Sequence, residues 1–179
     1  MASSRLSERS GAIAAQITPE IDPLLFREIL ASFPAGVVIV TAVGADGIPS
    51  GVTVSAFCSV SADPPLVLVC IDKGSRTLAA VQAAGKFTVN ILHAESEERA
   101  MLFASKREDK FSDIAWEAPG HAGAGPVLRG DAAAHLVCVT EKRIEAGDHW
   151  IFVGQVVEAD IEDVDRHLLY HRRAFSAVG

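Results

Sequence analysis

GVTVSAFCSVSADPP, residues Gly51 to Pro65, alternates small apolar and hydroxyl-bearing side chains with the two-residue period of a β-strand. Val52, Val54, Ala56, Cys58 and Val60 fall on one face, and Thr53, Ser55, Phe57, Ser59 and Ser61 on the other. The first face suits a core. The second is a row of hydroxyls broken by one aromatic ring, and hydroxyls donate or accept at a polar ligand's edge without blocking its approach. A half-buried strand with a solvated outer face is the plainer account of the pattern. The neighbouring segments favour a ligand.

Upstream, Asp22 to Phe33 (DPLLFREILASF) spaces Leu25, Ile29 and Phe33 four apart behind an Asp cap and a first-turn Pro, a short amphipathic helix ended by Pro34. Gly36 opens a β-branched run to Val43, and the Asp46-Gly47 pair turns it into the Gly51 strand as a hairpin. Downstream, Pro64 and Pro65 stop that strand, and Leu66 to Ile71 (LVLVCI) reads as a strand buried on both faces.

Ser75, Arg76 and Thr77 precede LAAVQAAG, an Ala-rich helix closed by Gly85. A hydroxyl and a cation at a helix start suit an anion, because free N–H groups point outward there; ordinary capping accounts for the same residues. Phe87 to Leu92 is a further strand, and ESEERAMLFAS a helix expected to carry Met101, Leu102 and Phe103 inward. Lys106, Arg107 and Lys110 then crowd before Phe111, the local cation excess that a phosphate requires wherever it leaves bulk water. Glu117 to Pro126 (EAPGHAGAGP) has the composition of a surface loop. Strands at about 132–144 and 149–161, joined by a short turn, form an antiparallel pair that leaves His149 and Trp150 at a cleft mouth. The tail, LLYHRRAF, is expected to cap a neighbouring surface. About seven strands and three short helices result, and strands of this kind hide their edges by closing into a small antiparallel Greek-key barrel.

The 179 residues fit one domain at 22–179 behind a flexible arm at 1–21. A net charge of -7 argues against nucleic acid as a partner. No apolar run is long enough for a membrane span or a signal peptide, and Cys58, Cys70 and Cys138 read as reduced core thiols of a cytoplasmic protein. The 49% hydrophobic content implies a thick core plus a subunit interface. His167 and His171 could share a helix face, but no third ligand accompanies them, so no metal is expected. Neither G-x-G-x-x-G nor G-x-S-x-G occurs, against a Rossmann site and a serine hydrolase.

In order and spacing, FPAGVVIVT, GVTVSAFCSVSADPPLVLVCI, SRT, FTVNIL, the Lys110-Phe111 pair, Gly125-Pro126 and GDHWIFVGQV resemble the flavin reductase-like, FMN-binding split-barrel family over Phe26 to Phe175. The resemblance implies a mainly β homodimer binding FMN or FAD near the subunit interface. NADH or NADPH delivers hydride, and a partner monooxygenase receives reduced flavin. It places Thr53, Val54, Ser55, Ala56 and Phe57 at the isoalloxazine edge. Ser59, Ser75, Arg76, Thr77, Lys110 and Phe111 lie around the ribityl phosphate, and His149 at the nicotinamide. In the tail, Arg172-Arg173-Ala174-Phe175 departs from the family's usual Arg-Gly-aromatic pattern, so no role is assigned there. The residue types suit hydride transfer, which needs positioning rather than a catalytic triad. A barrel enzyme that retains FMN and acts on another small molecule, and a non-catalytic flavin-binding dimer, fit the same residues.

Overall fold

The computed structural model describes residues 21–179, so the expected N-terminal arm lies almost wholly outside the described residues. Helix α1 spans Pro23–Ala31, with the Asp22 side chain accepting from the Leu24 N–H at 3.0 Å. Strand β1 (Ala35–Gly36) leads into β2 (Val38–Val43), and the Gly44–Ile48 turn, with Gly47 at φ 78°, returns the chain as β3 (Pro49–Val54). Then come β4 (Phe57–Ala62), β5 (Pro65–Asp72), helix α2 (Arg76–Ala84), β6 (Lys86–Leu92) and helix α3 (Glu97–Ala104). The long β7 (Ala132–Ala146) and β8 (His149–Ile161) follow, and β9 (His167–His171) and β10 (Ala174–Val178) finish the chain.

Seven strands form one antiparallel sheet in the order β3-β2-β6-β7-β8-β5-β4. Strands β3 and β4 sit at its two edges although only Ser55 and Ala56 separate them, so the sheet must curl until its edges meet. Cys70 N donates to Ala56 O at 3.0 Å in that gap. The expected single strand from Gly51 to Pro65 is therefore two strands that exchange β2 for β5 as partner. The change of partner also shifts the side-chain parity: Val54 and Phe57 both pack on the core, while Cys58 and Val60, expected inward, are exposed.

The two faces of β2 feed two cores. Val38, Val40 and Ala42 join Val69, Phe87, Val89, Phe152 and the buried Leu78 and Val81 of α2, whereas Ile39, together with Val37 just before the strand, joins Ala100, Phe103, Leu128 and Leu168. Strand β5, expected to be buried on both faces, alternates: Val67, Val69 and Ile71 are buried and the residues between them are not. Met101, expected inward, is exposed, and so is the apolar stripe of α1.

Three further expectations are corrected. The Gly- and Pro-rich segment is a surface loop only in its first part, because Ala124–Leu128 is buried. Thr41 and Thr88 donate to the Pro126 and Gly125 carbonyls, both at 2.7 Å, and Leu128 N donates to Asn90 Oδ1 at 2.8 Å. A Cβ on Gly125 would lie 2.2 Å from the Thr41 backbone, so only glycine permits this approach. The tail forms a second sheet, β1-β9-β10, which puts His167 and His171 on a strand instead of a helix face. Of the three cysteines, all free, only Cys138 is fully buried. Among the described residues no helix is long and apolar enough to cross a membrane.

Candidate active site

Helix α2 packs along the β2–β3 hairpin, and its exposed side faces the segment that follows α3. Between them opens a cleft of about 1140 Å³. The turn from Gly44 to Ile48 forms one wall, the small Ala79 and Ala83 of α2 another, and Phe103 to Phe111 the third, with Ser50 and Gly51 on the floor. Ser75, Arg76, Thr77, Lys110 and Phe111, all picked out in the sequence, line it together.

The helix start is open to a ligand. Ser75 occupies the cap position, but its hydroxyl makes no capping bond, and the first N–H groups of any helix lack intrahelical acceptors. The turn before it is set by Asp72, whose carboxylate accepts from Gly74 N at 2.6 Å. Thr77 is committed elsewhere: it is buried and its hydroxyl pairs with Ser50 Oγ at 3.0 Å. Lys110 reaches back over the cleft floor, Nζ donating to Phe103 O at 2.7 Å and Gly51 O at 3.3 Å and lying 5.8 Å from the Phe103 ring centre. Burial, and then the nearby Arg76 charge, hold its pKa below the ordinary lysine value. Among the described residues no carboxylate pairs with it, so the cleft holds a partly desolvated cation in need of an anion. Phe111 braces this end, its ring edge-on to Phe103 at 5.1 Å.

The residues expected at a ring edge do not line this cleft. Thr53 spends its hydroxyl on Ala100 O at 2.6 Å, Val54 is buried in the core and Phe57 is half-buried against it. Ser55 and Ala56 are exposed at the seam where β3 passes to β4, and Ser59 is exposed on β4. His149 opens β8 directly opposite Asp72, which does line the cleft. Its Nδ1 lies 2.7 Å from Asp148 Oδ1, and this contact holds the Asp148 carboxyl below the usual range. An ionised carboxylate only accepts, so Nδ1 carries the proton and Nε2 is the nitrogen left for other work. Asp72, Asp148 and His149 bring one ligand atom each within 4.8 Å of one another, all of them at or near the surface.

A family model, the flavin reductase like domain, matches residues 30–179. The chain belongs to the flavin reductase-like family. It is 43% identical over 157 residues to a flavin reductase (NADH) of Kitasatospora aureofaciens, covering 87% of this chain and 82% of that protein. It is 38% identical over 169 residues to the reductase subunit of a flavin-dependent monooxygenase of Rhodococcus jostii, covering 94% and 83% respectively. A solved NADH:FAD oxidoreductase of Streptomyces globisporus, in complex with NAD and FAD fragments, superposes with a TM-score of 0.81 at 34% identity over 88% of this chain and 93% of that one. The mostly β antiparallel architecture is that of the flavin reductase split barrels.

Sequence reasoning missed several cleft residues of this flavin reductase-like chain: Ser50, Asp72, Ala79, Ala83 and Phe103. Ala79 and Ala83, four apart in an otherwise Ala-rich helix, carry no signal beyond helix propensity. Asp72 had one, an Asp two residues before a Gly at a strand end, the pattern of a side chain that caps its own turn.

Proposed function

We propose that this protein is a NAD(P)H:flavin oxidoreductase that reduces FMN or FAD and passes the reduced flavin to a monooxygenase component. The observation that carries the reading is the cleft itself. An uncapped helix start and a half-buried lysine with no carboxylate partner among the described residues converge there, in a chain of the flavin reductase-like family. A flavin phosphate meets those demands: helix N–H groups and the Ser75 hydroxyl donate to it, and Lys110 supplies opposite charge where water is partly excluded.

Bound flavin supplies the hydride-accepting ring, and the chain's own residues hold it in place. From the phosphate end, β3 leads from Gly51 to the exposed seam at Ser55 and Ala56, where the Ser55 hydroxyl would meet the ring's polar edge while the Ala56 carbonyl is held by Cys70 N. Phe57 backs that edge, with Ser59 beyond it. His149, its Nδ1 fixed by Asp148, presents Nε2 toward the nicotinamide side and can hold or donate a proton there. Catalysis on this reading is alignment of two cofactors, the kind of contribution that needs rigid polar contacts and no covalent step.

The reading includes a homodimer. Leu24, Leu25, Phe26, Ile29, Leu30 and Phe33 around α1 are each 48% exposed or more, an apolar face that a second copy of the chain would cover. Sedimentation should give a dimer, and Leu30→Glu should shift it to monomer. Cytoplasmic localisation belongs to the same reading, since NADH and a monooxygenase partner are both met there. Steady-state oxidation of NADH or NADPH with added FMN or FAD tests the activity. A rate that follows flavin concentration is expected, and no nicotinamide consumption with either flavin rejects it.

A further inference from the structure

The Arg76 side chain, expected from the sequence at a phosphate, is turned onto the protein. Its Nη2 donates to the carbonyls of Lys106 at 2.6 Å and Arg107 at 2.5 Å, and its Nη1 to Glu108 Oε1 at 2.7 Å. The planar guanidinium fork is suited to successive acceptors of this kind. Residues 106–108 lie in an exposed segment between α3 and Phe111 with no ladder to hold them. Arg107 pairs within the segment, with Asp109 at 3.0 and 2.8 Å, and so does not anchor it to another element. Among the described residues, apart from the local bond from Arg107 N to Ser105 Oγ at 3.3 Å, the side-chain hydrogen bonds tying 106–108 to the rest of the fold come from Arg76. Two positions further on, Lys110 and Phe111 enter the cleft.

We infer that Arg76 is a positioning residue: it clamps 106–108 to the start of α2, so that Lys110 and Phe111 are presented to the flavin, and it acts through them instead of by contact with the phosphate. This rests on the flavin reading of the cleft. A phosphate ligand and a clamp differ in one observable. A phosphate ligand discriminates FMN from riboflavin, which has no phosphate. A clamp affects the whole wall and hence both.

The test uses the full chain with Arg76→Ala and Glu108→Gln, titrated with FMN and with riboflavin by fluorescence, beside limited trypsin digestion mapped by mass spectrometry. Trypsin cuts after Lys106 or Arg107 only when those carbonyls are free to enter its oxyanion site, and they are the carbonyls Arg76 holds. For Arg76→Ala, FMN affinity should fall by about tenfold, the loss of a charge-assisted anchor, and riboflavin affinity should fall too, by less, because Phe111 is displaced together with Lys110. Cleavage at 106 or 107 should be several times faster. Glu108→Gln should move cleavage the same way and less.

Loss of FMN affinity alone, with riboflavin and proteolysis as in the wild type, overturns the inference and makes Arg76 a phosphate ligand. Tighter FMN binding in Glu108→Gln with riboflavin unchanged also overturns it, since Glu108 would then be competing with phosphate for Arg76. If the wild type binds neither flavin, it is the cofactor reading that falls. The digestion still decides the clamp, and equal cleavage in wild type and Arg76→Ala would end it.

Discussion

Replacing Lys110 by methionine keeps the length of the side chain and removes its charge, so it isolates what the ammonium group does in the cleft. Of its three N–H donors, two point at the Phe103 and Gly51 carbonyls, at 2.7 and 3.3 Å, leaving one for a ligand. A charge-assisted hydrogen bond of this kind is worth about 1.5 to 3 kcal/mol, so the dissociation constant for FMN should rise about 10- to 150-fold. Riboflavin, which has nothing for that donor to meet, should change by less than about threefold, within ordinary packing differences. Melting temperature should move by less than about 4 °C, because burial already disfavours the charged lysine and the released carbonyls lie at an open cleft where water replaces the donor.

The pH dependence follows from the same group. Its pKa in the free protein lies below the ordinary lysine value, and a bound phosphate dianion pushes it up again. Protons are therefore taken up on binding, and FMN affinity is full below the free-protein pKa and declines as pH rises through it, while riboflavin affinity stays level. Fluorescence titration of both ligands across the alkaline range, in wild type and Lys110→Met, reads all of this. Equal weakening of FMN and riboflavin, or an unchanged FMN constant, would refute a phosphate at Lys110.

Three other variants address the rest of the site. His149→Ala should lower the turnover number by about 10²-fold or more while moving the flavin constant little, the signature of a proton-handling group; equal losses in both would reduce it to a structural residue. Gly51→Ala puts a Cβ 2.5 Å from Cε1 of the fully buried Phe103 ring, which cannot swing away, so about 1 to 3 kcal/mol of stability should be lost in urea unfolding together with flavin affinity. Retained stability would mean the ring yields. Ala83→Trp narrows the cleft beyond the two cations, toward the Gly44–Ile48 turn, and should raise KM for FAD more than for FMN. Equal effects would show that this end holds no part of a dinucleotide.

Patterns local in sequence were legible. The hairpin at Asp46-Gly47, the helix closed by Gly85 and the β7–β8 pair are each written in a few adjacent residues, and each formed where expected. What period and propensity could not show is exchange of partners. The alternation through Ser55 and Ala56 continues unbroken while the strand leaves β2 for β5, and only the closed sheet reveals why Cys58 and Val60 face outward. The gathering of Ser75, Arg76, Lys110 and Phe111 was legible as residue types at a helix start and before an aromatic. Their separate duties were not, since whether Arg76 meets a ligand or the Lys106 and Arg107 carbonyls depends on a neighbour some thirty residues away. The tail sheet was invisible for another reason: its β1 is two residues long, and Arg172 and Arg173 make its turn with positive φ, 50° and 62°, in place of the expected glycine.

Because β3 and β4 are one continuous piece of chain, the barrel is fastened shut by covalent bonds at the place proposed for the isoalloxazine. A molecule lodged there would brace the joint as well as occupy a site, so cofactor loading and resistance to unfolding should rise together. Loosening the junction at Ser55 and Ala56, even without touching a ligand contact, would be felt first as a flavin that escapes more readily.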